Sequence, residues 1–230
     1  MNTKTKLFAA AALAGAAVAG TPAAAQVTGA IATSSPEAVI VRSAARIAAY
    51  QQIETQYATQ IQQIRTMRQE AATLQQSLDT NKDGQLTQTE AQANPTVVQQ
   101  IQQKEQQIQT ASQPIVLAQT YAIEQLINDY NNVQQQVVQQ KKIQLLLTPE
   151  AVQWAPDTLN VTNDLVNVMN QRMPSVQITP PAGWRPRAES LQTQQTVSQI
   201  LLGVAQQQAA QQAAQQQGQQ PAQQQQPAGR

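Results

Sequence analysis

Residues 50–78 read YQQIETQYATQIQQIRTMRQEAATLQQSL, and the spacing of their apolar members decides the fold. Tyr50, Ile53, Tyr57, Ile61, Ile64, Met67, Ala71, Leu74 and Leu78 follow one another by three or four residues. That interval lays a narrow apolar stripe along one helix face, while Gln, Arg, Glu and Thr fill the others. A lone helix in water leaves such a stripe unsatisfied, so it needs a partner. A second striped stretch, residues 97–142, follows. Ile101, Ile108 and Ile115 recur every seven residues there, and Ile123, Leu126, Tyr130, Val133 and Val137 continue the pattern. The nearest partner for each stripe is the other, folded back. The sequence therefore predicts a mainly α chain built on a long antiparallel coiled-coil hairpin with arms at about 44–78 and 97–142. Pairing of each arm with another chain is the alternative. The first arm should be roughly 50 Å long. Pro95 marks the start of the second, and Pro114 predicts a kink within it.

Composition supports an elongated helical shape. Of 230 residues, 41% are hydrophobic but only 3% aromatic, and much of the apolar share is Ala, too small to fill a large core. Cys and His are both absent. That removes disulfides, thiol chemistry, the commonest general base and the commonest zinc ligand. Catalysis is not expected. The formal charge of +1 gives no electrostatic footprint for nucleic acid.

The first 25 residues read as a secretion signal. Lys4 and Lys6 precede an apolar run from Leu7 to Val18, too short to span a bilayer, and Ala23-Ala24-Ala25 offers a cleavage site. Removal of the signal leaves 12 basic and 13 acidic residues. Export to the periplasm, with no membrane insertion afterwards, is the expectation. Residues 26–37 read as a flexible N-terminus. Ala38-Val39-Ile40-Val41 reads as a strand, as do Ile143-Gln144-Leu145-Leu146-Leu147 and Ala151-Val152-Gln153-Trp154. A short helix capped by Asn160 or Thr162 buries Val161, Leu165, Val168 and Met169 and stops at Met173-Pro174. Three short strands and one small helix bury too little to stand alone and leave sheet edges open. Pooling of strands between subunits is the expected remedy. Residues 175–230, rich in Pro, Gln and Ala, read as a disordered tail, with one weak amphipathic helix from Leu191 to Ala205.

Between the arms lies DTNKDGQLTQTE, residues 79–90, which fits the twelve-residue EF-hand loop at its ligand positions. Asp79, Asn81 and Asp83 would supply side-chain oxygens, Gln85 its backbone carbonyl, Thr87 a water-mediated contact and Glu90 both carboxylate oxygens. Gly84 stands where the loop turns sharply, and Leu86 where an apolar residue is usual. The bland reading is a polar turn, since Asp, Asn and Gly are ordinary turn residues. A single unpaired loop implies weak Ca²⁺ binding, about 10⁻⁴ to 10⁻³ M, with a structural purpose.

In this order the segments resemble the OmpH (Skp) family of periplasmic chaperones. The resemblance rests on Ala38–Val41 leading into Ala44-Ala45, on Lys142–Leu147, on Glu150–Trp154 and on Val161-Thr162-Asn163-Asp164-Leu165, over roughly residues 38–174. It implies a homotrimer whose strands form a central barrel and whose arms project as tentacles. It implies an ATP-independent holdase that encages unfolded outer-membrane proteins, with no catalytic residues. Well-known members are strongly basic, whereas this chain is near neutral, and the loop and tail lie outside the family plan. A coiled-coil spacer or adaptor of the envelope, and a calcium-responsive binding module, are the competing functions.

Overall fold

The computed structural model describes residues 30–218; the expected secretion signal lies outside them, as do residues 219–230. The base of the molecule starts with β1, Ala30–Thr33, which pairs in parallel with β2, Ile143–Leu147. Their register sets Ile31 against Leu145 and Thr33 against Leu147. The segment expected to be flexible thus supplies the first strand. The expected strand at Ala38–Val41 is instead part of helix α1, Pro36–Arg42. Local capping explains the correction. The Ser35 hydroxyl accepts the Ala38 N–H, Pro36 presets the first turn and Glu37 faces the positive helix end. Together these outweigh the β preference of Val39, Ile40 and Val41.

The first arm is two helices, α2 (Ala44–Gln56) and α3 (Ala58–Leu78), where the stripe predicted one. Tyr57 separates them, with φ −104° and ψ 19°. A six-residue helix α4, Gln88–Ala93, follows the loop. The second arm, α5, runs unbroken for 47 residues from Pro95 to Lys141. Pro114 lies inside it without ending it. Proline denies the Thr110 carbonyl its helical donor. One residue on, the Ala111 carbonyl takes a hydrogen bond from Gln60 Nε2 on α3 at 2.6 Å. Further along, Glu70 of α3 pairs with Lys104 of α5. Contacts therefore climb one helix as they descend the other. Lys142, in the left-handed region at φ 53°, ends α5 and turns the chain into β2.

Past β2 the expected strand Ala151–Trp154 is absent. A short 3-10 turn, Pro149–Ala151, occupies its start, and Trp154 stands 81% exposed. Pro149 and Pro156 bracket the segment and limit its ladder bonding. Helix α6, Thr162–Arg172, agrees with its expectation: Thr162, Leu165, Val166, Val168 and Met169 are buried. In the tail, the weak helix expected over residues 191–205 is part of a longer one. Residues 188–218 form helix α7, and its first half is packed, with Ser190, Gln194 and Val197 buried.

One core joins these elements. Val39 of α1, Ile53 of α2, Ile123, Leu126, Val133 and Val137 of α5, and Leu165 and Met169 of α6 lose essentially all contact with solvent. Each such side chain contributes about 1.5–3 kcal/mol. The core thus sits at the base, and the arms reach beyond it. No helix among the described residues is long and apolar enough to cross a membrane.

Candidate functional site

The arms are only partly closed on each other. Ile64 and Ala71 of α3 and Ile101 of α5 are buried, as is Leu78 at the arm's end. Between these points two grooves flank the helix pair. One, of about 600 Å³, is lined by Ile61, Ile64, Ile115 and Val116 together with Arg65 and Arg68. The other, of about 650 Å³, carries Gln60, Met67, Gln103 and Gln107. Neither Arg65 nor Arg68 joins a salt bridge among the described residues. The first groove therefore offers half-buried branched side chains beside two uncommitted guanidinium groups. Such a surface can hold flexible apolar chain segments, with acidic side chains steered by the arginines.

At the far end, the 79–90 loop is organised by its own hydrogen bonds. Asp79 accepts the N–H groups of Asp83 and Gly84, Asn81 accepts that of Asp83, and Asp83 accepts that of Gln85. Gly84 sits at φ 78°, where a side chain would be strained. Glu90, 8% exposed, turns towards the backbone. Its Oε2 accepts from the Thr87 N–H and hydroxyl, and its Oε1 from Thr80 and Asn81. Thr87 caps α4 in return, completing a capping box. Hydrogen bonds from Thr87, backbone first, and from Thr80 outweigh burial and hold the Glu90 carboxyl at a pKa of about 2. Asn81, Asp83, Gln85 and Thr87 are exposed, and Asp79 is half-buried. Among the described residues no group of three His, Cys, Asp or Glu side chains is gathered closely enough to hold a metal ion.

The model of the family described as outer membrane protein (OmpH-like) matches residues 30–169. The chain belongs to the OmpH-like family. A solved structure assigned as an OmpH-like outer membrane chaperone, from Caulobacter crescentus CB15, is similar to it at 20% identity. The likeness covers 70% of this chain and 92% of that one, with a TM-score of 0.40. No curated protein matches.

Beyond the OmpH-like residues, the chain returns to α5 and is read there by one polar stripe that the periodicity did not reveal. Tyr121, Glu124, Gln125 and Asn128 project from successive turns of α5. Gln125 exchanges two hydrogen bonds with the Gln177 backbone, at 2.8 and 2.9 Å. Glu124 accepts the Trp184 indole N–H, the Arg187 backbone N–H and the Ser190 hydroxyl at 3.1, 3.3 and 2.7 Å. The Trp184 ring meets Tyr121 edge-on at 5.0 Å. Burial pushes the Glu124 carboxyl up, but Ser190, Trp184 and Arg187 together hold it below the usual carboxylate range. The one signal in the sequence was an acid among Ile123 and Leu126 in a chain with only 13 acids. At the other side of the OmpH-like base, Arg46 stacks over the Tyr50 ring at 5.1 Å, and both are buried. Burial pushes the Tyr50 hydroxyl up to about 12.

Proposed function

We propose that this chain is an ATP-independent holdase chaperone of the periplasm. It would receive unfolded outer-membrane proteins in transit and hold them between antiparallel coiled-coil arms. The observation that carries the reading is the pair of arm grooves in an OmpH-like chain: half-buried Ile61, Ile115 and Val116 flanked by unpaired Arg65 and Arg68. Many weak contacts of this kind add up by avidity, yet each lets the client move and leave. The chemistry needs no nucleotide and no catalytic group. The purified protein, mixed with an unfolded outer-membrane barrel protein, should suppress light scattering at stoichiometric excess. Scattering that rises unchanged sinks the proposal.

The base supports assembly into a homotrimer. Its sheet has two short strands; the outer side of β1 is bridged at Thr33 by Asn160, while the outer edge of β2 carries no strand partner among the described residues. Ile31 and Leu145 are 39% and 41% exposed, and Trp154 far more. Apolar side chains beside unpaired strand edges are the usual setting for strand addition. Three copies would set their arms around a shared cavity.

The loop at the arm tip is a calcium-type site in this reading, weak and structural. Asp79, Asn81, Asp83, Gln85, Thr87 and Glu90 provide the donor types that Ca²⁺ takes. Glu90 would have to exchange hydrogen bonds from Thr80 and Thr87 for the ion, which favours low affinity. Titration calorimetry should give Ca²⁺ heats that vanish in Asp83→Ala. Equal heats from the two proteins remove the metal.

A further inference from the structure

The segment after α6 is more than a trailing end. We propose that residues 177–201 form a releasable strap, latched on Glu124, that walls the α5 side of the arm groove at rest and lifts when a client engages. The docking stands on its own contacts; the gating rests on the chaperone reading above.

The latch is concentrated. Three donors from the strap, on Trp184, Arg187 and Ser190, converge on one carboxylate, and Arg187 also reaches Asn128. A contact whose hydrogen bonds meet at a single acceptor is lost as a unit. The interface is polar for its depth. Ser190 and Gln194 are buried in it, whereas Val197 is the strap's one fully covered apolar side chain and Ile178 and Leu201 are only partly covered against the core. Polar interfaces of this type belong to contacts that open and close.

The strap is weakly held at its far end. From Leu202 to Gln215 every residue of α7 is exposed. A helix of that length with no packed face is marginal in water. The second half of α7 therefore adds little to hold the first half down.

Its position gives the strap a purpose. Leu191 lines a groove of about 540 Å³ with Ser112, Val116 and Leu117. Ser112 and Val116 also line the groove between α3 and α5. Strap and client would therefore compete for the same strip of α5. Gln194 lies against Gln119 at 3.2 Å, so the strap follows α5 outward from the base.

Two measurements on the full-length protein decide the matter. In Glu124→Ala and in Trp184→Ala, amide exchange over residues 188–201 should quicken about tenfold or more, while α6 keeps its protection. Trypsin should then cut after Arg187 in both variants. Unchanged exchange over 188–201 in both overturns the latch. Because the chain has no Cys, the double variant Gln119→Cys/Gln194→Cys can form only one disulfide within a chain, that between strap and α5, and its oxidised form is the fraction shown by mass to have closed it. The oxidised form should capture client about tenfold less well than its reduced form, and the latch variants about twofold better than the parent. Equal capture by oxidised and reduced forms overturns the gate and leaves the chaperone reading standing. Absence of capture by every form removes the chaperone reading and the gate with it; exchange alone then judges the docking.

Discussion

Glu90 receives hydrogen bonds from Thr80, Asn81 and Thr87, and its carboxyl falls from 4.5 to a pKa of about 2. The sign of the linkage follows. A folded-state pKa below the unfolded one adds stability that is complete above 4.5 and lost as pH falls towards 2. Protection of the Thr80 and Thr87 amides, taken against the intrinsic exchange rate at each pH, should hold above 4.5 and fall across that window. Glu90→Gln should abolish the pH dependence. Deeper in the molecule the relevant physics is packing. Leu126 is fully buried between helices, so Leu126→Ala should lower stability by about 2–5 kcal/mol in denaturant melts, and a smaller loss would mean the site collapses around the gap. The Arg172 guanidinium grips both Asp129 oxygens, at 2.7 and 2.8 Å, and ties α6 to α5. Because Arg172 is 36% exposed and the pair is screened by solvent, Arg172→Ala should shift the denaturation midpoint only slightly.

Among the elements, the long helices, β2 and α6 were legible in the sequence, because the periodicity of their apolar residues agrees with their burial. Val133, Val137, Leu165 and Met169 all point inward where the spacing put them. The base was less legible. Val39, Ile40 and Val41 look like a strand by composition, but Ser35 and Pro36 start a helix just ahead of them, and that start is decided by a local cap rather than by a pattern. Ser35→Ala should therefore cost about 1 kcal/mol in thermal melts. The α7 helix was legible in part, as a weak amphipathic helix over residues 191–205, but its docking was not: its start is held by Glu124 on a distant element, and no local window contains that residue. The loop's ligand types were readable, but the commitment of Glu90 to Thr80 and Thr87 was not, since it depends on how the chain closes. Gln60 shows the same limit. Its amide supports the Ala111 carbonyl near Pro114, and Gln60→Ala should loosen amide exchange in α5 around that proline by roughly the worth of one hydrogen bond, ~1 kcal/mol.

For the whole molecule, assembly is the decisive variable. The purified protein should sediment at three times its chain mass, and a monomer at working concentration would contradict the proposed trimer. Charge would place a second limit on the client choice of the proposed chaperone. With basic and acidic residues nearly balanced, long-range attraction of acidic clients is weak, so added salt should alter the capture rate little. A lasting effect of α5 lies in its continuity. It leaves the core beside β2 and reaches the tip without a joint, at about 1.5 Å per residue some 70 Å in all. A stiff rod anchored at one end is a lever: tilting its root by roughly 10° sweeps the calcium-type loop through on the order of 10 Å. In the proposed trimer the cage mouth would thus be widened from its floor, by small rotations where the copies meet, without unfolding any turn of the wall.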